Sequence, residues 1–478
     1  MMAMKLCGAI LLLSSLVGCA VKTPELLPDS LLAFKAPVTT DVESEQLGAS
    51  WWRELGLPEL DDLVDLALKD NFTVQAAELR LKEAHALDNA SIWSLLPKAS
   101  SELVEGTSRT DRYSVDGEPW VQAPGAPMTN SRGSLSASWE VPLFGKLSAT
   151  RALNKGQVDY AYWSAVSTKA TVTQEVVSAY VEALGTQAMA STLRDSRSAL
   201  EQQVRAEEFL RDKGVSTQTE VDRLKEQASD IDGQLEDVHA RLTVLRAKLG
   251  VLVGNPQAGV LDTLMPWRAT PEQAAEQFST AIQYAAEHIE VRAEAIRMRP
   301  DVRMAEAKVT QAVAQAGIAR ANLFPQLTLE GALNITKGGL DSTGLTEGFS
   351  AMHSADMSLR IPLLDWPALK AESNARNMEL QAVVWDYRAT VLSAWSDVTE
   401  SAANARANVH KVQVAREQQL RVKAAVSLER IAFQRRYVTS QDYCRVQAAY
   451  SSAVAAALRS AMDLLTAWAK MKKSVYAA

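Results

Sequence analysis

A pattern of helix and strand signals occurs twice in this chain of 478 residues, and it limits the possible folds more than any other feature. The first copy covers 74–144 and the second covers 302–364. Each copy reads as a helix, a proline stop, an alternating strand, a loop, a second alternating strand, a proline and a long helix. The sequence therefore predicts two β-hairpins, each carried on a pair of helices.

The two copies share short segments in the same order. Three segments of the first copy have counterparts in the second: Val74–Glu78 in Val302–Glu306, Leu95–Pro97 in Leu323–Pro325, and Trp139–Phe144 in Leu359–Leu364. The strands in each copy alternate between an apolar and a polar face, as residues two apart share a face of a strand. In the clearest of them, at 131–143, one face is formed by Leu135, Ala137, Trp139 and Val141. A loop is predicted at 111–130, and a second loop at 337–354 precedes the last strand, which is predicted from Ala355.

The segments that follow the hairpins are free of proline over unusual lengths. No proline occurs in 145–213, or in 368–436. At 1.5 Å per residue each segment predicts a helix of about 100 Å. Gly214 reads as the cap that ends the first of these helices. A return helix follows each one, at about 217–249 and 441–473. Helices of this length need to bury apolar stripes against one another, as coiled coils do.

The N-terminus reads as a targeting segment. We predict a lipoprotein signal peptide at 1–18, because an apolar stretch too short to span a bilayer ends in Leu16-Val17-Gly18-Cys19. This ending is similar to the bacterial lipobox, so Cys19 is the predicted lipid-attachment residue. An ordinary signal peptide that contains a cysteine is the alternative. Ala20 stands where inner-membrane lipoproteins commonly have aspartate, which favours the outer membrane.

The remaining boundaries follow from the repeat. A lipid anchor and extended N-terminal arm is expected at 19–57. The first repeat then covers 58–254, with its hairpin at about 98–143. A connection at 255–270, rich in glycine and proline, precedes the second repeat. That repeat covers 271–478, with its hairpin at about 326–362.

The composition and motifs exclude several kinds of function. A net charge of −7 and the lack of a basic, aromatic-rich cluster argue against nucleic-acid binding. The five histidines show no metal-ligand spacing, and we find no nucleotide-binding or nucleophile motif. We therefore expect no enzyme and no cofactor. Arg299-Pro300-Asp301 reads as a helix start rather than a catalytic group, since proline suits the first helical position.

A membrane-spanning part would have to come from the strands, since no segment after 1–18 predicts a transmembrane helix. Lipid cannot satisfy the open edges of a sheet, so the strands would have to close into a barrel. Bacterial barrels begin at about eight strands, and this chain offers four. Several copies would therefore have to share one barrel.

The motifs resemble the TolC-like outer membrane factor family, in its branch of efflux lipoproteins. The resemblance rests on the Cys19 lipobox, on Arg299–Val302 with Ala305-Glu306, on Ala319–Pro325 and on Trp139–Phe144. It covers nearly the whole chain after 1–18 and keeps the order of elements.

The resemblance implies a mainly α-helical protein with a membrane β-barrel. Three identical chains would form a twelve-stranded barrel, with four strands from each. The barrel would continue into a long periplasmic α-helical barrel with a mixed equatorial region. The implied function is the passive exit duct of a tripartite efflux system, working with a periplasmic adaptor and an inner-membrane transporter. The alternative is a lipid-anchored periplasmic structural or adaptor lipoprotein built from coiled coils. Drugs, metals and secreted small molecules all fit as cargo.

The resemblance also implies a periplasmic aperture at the turns between the paired long helices. The first turn keeps Gly214 and offers Glu220 and Asp222. The second turn departs from the family pattern, because the usual glycine is replaced and Asp442 is the nearest carboxylate, with Arg445 one turn on. These residues are the predicted aperture. For each of them, an ordinary solvated helix-end charge is the alternative.

Overall fold

The computed structural model describes residues 50–108, 128–255, 270–289, 293–338, 348–435 and 437–475. The predicted signal peptide, Cys19 and nearly all of the predicted connection at 255–270 lie outside these residues, as does most of the predicted arm.

Helices dominate the described residues. A 3₁₀ helix at Trp51–Leu55 comes first. The α-helices that follow are α1 Pro58–Asp70, α2 Phe72–Ser94, α3 Lys146–Asp212, α4 Gln218–Leu252, α5 Pro271–Glu287, α6 Ala293–Met298, α7 Pro300–Ala321, α8 Trp366–Gln434 and α9 Ser440–Val475. The two predicted long helices, α3 and α8, are confirmed, and so is the helix start at Pro300.

Four strands form one antiparallel sheet in the order β1-β2-β3-β4. Their bounds are β1 Lys98–Ser108, β2 Met128–Val141, β3 Gln326–Gly338 and β4 Gly348–Arg360. The two predicted hairpins are confirmed, and they join through the pairing of β2 with β3, in which Leu135 lies opposite Leu333.

The predicted start of the last strand was wrong. The sequence predicted a strand from Ala355, with the preceding residues in a loop, whereas β4 begins at Gly348. Glycine and serine at 348–354 weaken the alternating pattern, but pairing with β3 continues to Gly338 opposite Gly348. Likewise, β2 begins at Met128 within the predicted loop. Pairing with a neighbouring strand thus overrides weak local preference.

The two faces of the sheet differ as predicted. On the polar face Ser100 and Ser136 share a hydrogen bond of 2.9 Å between their hydroxyl groups. On the other face Leu103 is 84% exposed and Leu135 is 52% exposed. Large apolar side chains this exposed mark a surface that another apolar phase or another chain would cover.

The chain divides into two compact units, and each unit draws on both predicted repeats. One unit contains Lys82–Asp159 and Glu306–Asp386, and therefore the sheet. The other contains Tyr160–Ala305 and Tyr387–Ala478, together with 50–81. The unit boundaries fall within helices rather than between the repeats. The repeat boundaries stay a prediction.

In the unit that contains the sheet, helices α3 and α7 pack closely against each other. A Cβ placed on Gly156 of α3 would lie 2.9 Å from the Gln311 side chain of α7. Gln311 instead donates a hydrogen bond of 2.8 Å to the Gly156 carbonyl. In the same unit, the rings of Phe144 and Phe324 stack with centroids 4.8 Å apart. Phe144 has a φ of 54°, so the turn between β2 and α3 is held in the left-handed region by packing.

The main hydrophobic core lies in the other unit, and it corrects the prediction of an extended arm up to residue 57. Trp51, Trp52 and Leu55 of the 3₁₀ helix are buried in this core. The Trp51 ring meets the ring of Trp468 on α9 edge to face, with centroids 5.5 Å apart. Large apolar side chains fix the end of the predicted arm to the core, because burying them is more favourable than leaving them in water.

Helix ends in the same unit are capped by side chains. The Asn71 side chain accepts hydrogen bonds from the amides of Thr73 and Val74 and donates one of 2.9 Å to the Leu252 carbonyl. Thr270 forms a reciprocal capping box with Gln273, as the Thr-Pro start of α5 predicted.

Among the helices that the structure describes, none combines the length and the apolar character needed to cross a membrane.

Candidate functional site

The candidate site consists of the two turns that join the paired long helices. We call α3 with α4 the first helix pair, and α8 with α9 the second helix pair. In the first turn, Gly214 has a φ of 73°, and the Val215 amide donates back to the Leu210 carbonyl at 2.9 Å. This confirms the predicted glycine cap, because only glycine adopts the left-handed region without strain.

Glu220 stands at the start of α4 and is paired. Its backbone amide donates to the Thr217 hydroxyl at 3.3 Å. Its carboxylate accepts two hydrogen bonds from the Arg223 guanidinium, at 2.6 and 3.1 Å. These bonds lower the pKa of Glu220 and raise the pKa of Arg223. Glu220 is therefore an ionised group with its own cation.

Asp222 lies two residues further along α4 and has a neutral partner. Its carboxylate accepts a hydrogen bond of 2.7 Å from the Gln218 side chain. Gln218 in turn accepts one of 2.9 Å from Arg211, which also pairs with Asp212 across 2.7 Å. The first turn thus places basic and acidic groups side by side.

Asp442 opens α9 in the second turn. The Thr439 hydroxyl donates to its carboxylate at 2.7 Å, and the Asp442 amide donates to the Thr439 hydroxyl at 3.1 Å. These bonds to Thr439 lower the pKa of Asp442, with a smaller contribution from Arg445. Arg445 lies 3.2 Å from the carboxylate.

The two turns use the same local motif. Glu220 and Asp442 each stand three residues after a threonine that caps the helix, as in Thr-x-x-Glu and Thr-x-x-Asp. A carboxylate in the first turn of a helix also meets the positive end of the helix dipole. Helix capping is therefore one role of these two carboxylates, and it agrees with the alternative of helix-end charges.

Contacts between the two helix pairs lie close to the turns. The Cys444 thiol of α9 contacts the side-chain oxygen of Gln203 on α3. Leu200 and Leu224 form a small buried cluster of the first pair, and Cys444 packs on it. Further along, the hydroxyls of Ser196 and Ser451 are 2.6 Å apart. These contacts join α9 to the first pair.

A groove of about 890 Å³ follows this line of contact. Its walls come from α3, α4 and α9, and they include Gln203, Arg223, Asp442, Cys444 and Arg445. Two predicted aperture residues, Asp442 and Arg445, therefore line the groove, while Glu220 is connected to it through its bond to Arg223.

Sequence reasoning missed two members of this site. Glu207 is a buried carboxylate of α3 that accepts a hydrogen bond from Ser216 across the first turn. No local pattern marks it, since its partner is defined only by the fold of the turn. Arg223 could have been predicted from the sequence, because side chains three residues apart on a helix are neighbours and Arg223 follows Glu220 at that spacing.

The described residues contain no group of three or more histidine, cysteine, aspartate or glutamate side chains that could hold a metal ion. The site is built instead from helix caps, ion pairs and a groove between helices.

Comparisons with known proteins give this geometry its context. The chain superimposes on the outer-membrane channel OprN with a TM-score of 0.74, at 19% identity over 97% of this chain and 99% of that one. The CmeC outer membrane channel of Campylobacter jejuni gives a TM-score of 0.75, at 16% identity over 96% and 94% of the two chains. The fold is therefore that of solved outer-membrane channels.

Sequence comparison identifies the family. The outer membrane efflux protein family matches residues 63–255 and 291–475, which is most of the chain. A pyoverdine export outer membrane protein of Pseudomonas putida is 25% identical over 88% of this chain and 86% of the relative. Nodulation protein T of Rhizobium leguminosarum bv. trifolii is 24% identical over 73% and 70%. The chain belongs to the outer membrane efflux protein family.

This membership confirms the resemblance predicted from the motifs, the efflux-channel class and the outer-membrane location. It does not favour the alternative of a coiled-coil structural or adaptor lipoprotein.

Proposed function

We propose that three copies of this chain form a passive exit duct through the outer membrane, each copy anchored by acyl chains on Cys19. The duct receives cargo from an inner-membrane transporter through a periplasmic adaptor. Transport energy comes from the transporter, and the duct supplies a continuous path.

The observation that carries this proposal is the sheet. Among the residues that the structure describes, β1 and β4 each pair on one side only, so each leaves an edge free within this part of the chain. A free edge invites another strand, because its backbone groups lack partners. Pairing the β4 edge of one copy with the β1 edge of the next satisfies both edges. Three copies then close a barrel of twelve strands, which lies in the range of bacterial barrels.

The apolar face supports the same arrangement. Met357 and Leu359 of β4 are 74% and 61% exposed, and Leu329 lies on the same face of β3. Such side chains would meet lipid on the outside of a closed barrel. The polar residues between them would line a water-filled interior, as in known outer-membrane barrels.

Adjacent residues of β4 provide the test. Met357→Arg puts a charge on the apolar face, where it costs about 2–4 kcal/mol if the site lies in the bilayer core. Ser358→Arg puts the same charge on the polar face and is the matched control. We expect heat-labile trimers on gels and conductance in planar bilayers from the wild type and from Ser358→Arg, and strongly reduced trimer yield from Met357→Arg. Equal yields from both variants would contradict the proposal.

The lipid anchor has its own test. Cys19→Ala should abolish incorporation of radiolabelled palmitate and weaken membrane association, since acyl chains hold a protein at a bilayer by burying their methylene groups. Cys444→Ala is the matched control and should keep the label. Label retained by Cys19→Ala would exclude Cys19 as the acylated residue.

The groove between α3, α4 and α9 gives a test of the adaptor. A photoreactive amino acid at Gln234, which lines the groove, should cross-link an adaptor in cells. The same probe at Glu236, two residues along α4 and outside the groove lining, is the control. The genes next to this one would identify the adaptor and the transporter to test. A cross-link at Glu236 but not at Gln234 would show that the adaptor contacts α4 outside the groove.

We also propose that Glu220, Asp222, Asp442 and Arg445 constrict the closed duct. Neutralising the three carboxylates together should change conductance or cation selectivity, because charges at a constriction act on passing ions. Since Glu220 and Asp442 also cap helices, Gln and Asn are the replacements to use. Unchanged conductance and selectivity in this triple variant would remove the carboxylates from the constriction.

The names of the relatives indicate the possible cargo. They include pyoverdine export and multidrug resistance outer membrane proteins. Secreted small molecules, drugs and metals remain candidate cargo for this chain. Its cargo would follow from the partner transporter.

A further inference from the structure

The strongest unexplained feature is a buried arginine at the start of α7. Arg299 is 7% exposed and lies far from the turns along the helices. Its Nε and one Nη donate to the two carboxylate oxygens of Asp301, at 3.0 and 2.6 Å. Together they form a two-pronged pair, which is the geometry that guanidinium and carboxylate groups favour.

The rest of the guanidinium reaches two other helices. The second Nη donates to the Ala394 carbonyl of α8 at 3.3 Å and to the Ser474 carbonyl of α9 at 3.2 Å. The first Nη also donates to the Asp397 carboxylate of α8 at 3.3 Å. All five N–H donors of the group therefore have acceptors. We call Arg299 with these acceptors the arginine clamp.

Two acceptors in the clamp, Ser474 and Asp301, gain most from the arginine. Ser474 lies in the last turn of α9, where carbonyls have no partner within the helix. Asp301 stabilises the start of α7 through the helix dipole and accepts the Val302 amide at 2.9 Å. Lysine could not replace the guanidinium, because its three donors sit on one nitrogen and lack the planar fork. The clamp thus fixes α7, α8 and the end of α9 at one point.

A long stretch of α8 extends from the clamp to the second turn. From Ala394 to the end of α8 at Gln434 the helix continues without interruption for about 60 Å at 1.5 Å per residue. At that length a rotation of about 5° moves the far end by about 5 Å. A small rotation of α8 at the clamp therefore produces a large displacement of the second turn.

Apolar packing holds α8 next to the clamp, where Val398, Ala402 and Ala405 lie in the main core, and polar contacts run alongside it. A polar cleft of about 760 Å³ opens beside it, with walls that include Asp397, Asn404 and Thr466. Across the second helix pair, Asn408 donates to the Asp463 carbonyl at 3.2 Å, and Phe433 stacks on Tyr443 near the turn. A cleft with a polar lining holds two helices less firmly than close apolar packing does.

We propose that Arg299 is a positioning residue that sets the direction of α8 and thereby holds the second turn against the first helix pair. This inference rests on the proposed function, because it makes the clamp a determinant of the closed aperture. Loss of the guanidinium fork would let α8 and α9 separate from α3 at the turns.

The native thiol near the turn reports this movement. Cys444 is partly buried and contacts Gln203 of α3, so separation would expose it. The experiment measures the rate at which a maleimide reagent labels Cys444 in the full-length protein purified from membranes. Cys444→Ser supplies the background of labelling at other sites. We expect Arg299→Gln to raise the rate at least about fivefold, the lower end of usual coupling between distant sites.

Two further variants separate geometry from charge. Arg299→Lys keeps the charge but loses the fork, so its labelling rate should lie near that of Arg299→Gln. Asp397→Asn removes one acceptor on α8 and should give a smaller increase. If Arg299→Lys labels as slowly as the wild type, charge alone suffices and the positioning role is wrong.

A matched variant excludes general destabilisation. Leu63 is fully buried in the core of the same unit, on α1, and is not one of the groups in the clamp. Leu63→Ala should lower the melting temperature while leaving the labelling rate of Cys444 unchanged. A rate raised equally by Leu63→Ala and Arg299→Gln would show only loosening of the fold and would overturn the proposal.

A disulfide gives a second readout in planar bilayers. Gln203→Cys places a thiol beside Cys444, and oxidation should tie α3 to α9. Arg299→Gln should increase the fraction of time that the channel is open, and the oxidised disulfide should reverse this until a reductant is added. Persistent opening after oxidation would overturn the proposal. If the wild type forms no channel at all, the proposed function fails, while the labelling experiment still decides the role of the clamp.

Discussion

The two helix pairs have the same topology and nearly the same lengths, but they are held together differently. In the first pair, Arg197 pairs with Asp232 and Lys225 pairs with Glu208, each across 2.7 Å between helices. Leu200 and Leu224 pack between them. In the second pair, Val398 and Ala402 of α8 lie in the main core with Leu458 of α9. The hydroxyls of Ser401 and Ser474 are 3.2 Å apart beside them.

The difference indicates which pair can move at lower cost. Exposed ion pairs contribute little individually, about 0–1 kcal/mol each, so apolar packing carries most of the stability of the first pair. The second pair shares the main core near the arginine clamp and has a polar cleft along part of its length. We infer that the second pair moves at lower cost near its turn, because the core contacts of α8 end near Val409, whereas the Leu200–Leu224 cluster lies close to the first turn.

The largest expected effect comes from removing apolar packing in the first pair. Leu224 is 2% exposed in the cluster with Leu200 and Ala228. Leu224→Ala should lower the free energy of unfolding by about 2–5 kcal/mol, the usual range for a buried leucine. The loss of helical circular dichroism on heating measures it. Leu428→Ala, on the exposed face of α8, is the control and should change little in a single chain. A loss under about 1 kcal/mol for Leu224→Ala would mean that the first pair is not held by its apolar cluster.

The next effect comes from the turn of the first pair. Gly214→Ala puts a Cβ on a residue with a φ of 73° and should cost about 1–2 kcal/mol. Gly233 lies in the exposed middle of α4 with open space around it, so Gly233→Ala should instead stabilise by about 0.5–1 kcal/mol. Thermal melting of the wild type and both variants should show a lower melting temperature for Gly214→Ala and a higher one for Gly233→Ala. Equal signs would show that the glycine cap does not define the first turn.

Local chemistry explains why most element positions could be predicted from the sequence. Prolines, glycines and threonine caps mark helix ends through neighbouring residues, so Pro58, Pro300 and Gly214 placed their elements correctly. The start of β4 at Gly348 was missed because its evidence lies in β3 rather than in its own residues. Trp51 was missed because burial in the core overrides the expectation for a segment rich in proline.

The candidate site was predictable in its parts but not in its connections. Glu220 and Asp442 follow capping threonines, and this signal is local. The partners of Arg299 are Ala394 and Ser474, separated from it by 95 and 175 residues, and no local pattern relates them. The contact of Cys444 with Gln203 spans 241 residues in the same way. The sequence identifies residues that cap, whereas the fold decides which helices they join.

A smaller effect should appear in the turn of the second pair. Phe433 is 39% exposed, and its ring stacks on Tyr443 with centroids 5.3 Å apart. Phe433→Ala should cost about 0.5–1.5 kcal/mol, the usual contribution of an aromatic pair. It should also speed maleimide labelling of Cys444, the next residue after Tyr443. Phe433→Leu keeps the apolar bulk without the ring. Its stability and its labelling rate should lie between those of the wild type and Phe433→Ala. Labelling unchanged by Phe433→Ala would show that the stack does not hold α9 against the first pair.

The smallest expected effects concern pH and salt, and they contrast the two turns directly. The pKa of Glu220 is lowered mainly by the Arg223 guanidinium, and that of Asp442 mainly by the Thr439 hydroxyl. A carboxyl whose pKa is lower in the folded state adds stability above its unfolded pKa. That stability is lost as the pH falls through the folded pKa. Glu220→Gln should therefore cost at most about 1 kcal/mol at neutral pH, and nothing once the pH is below the lowered pKa.

Salt should separate the two carboxylates, because screening acts on a charge pair more than on a bond to a neutral hydroxyl. The cost of Glu220→Gln should shrink in high salt, whereas the cost of Asp442→Asn should persist. Asp222→Asn leaves the bonds of both carboxylates in place and is the control. Melting temperatures of the three variants at low and high salt, at neutral and acidic pH, measure the differences. If both costs vanish equally in salt, the second turn also depends on charge, through Arg445, and the contrast between the two helix pairs does not extend to their turns.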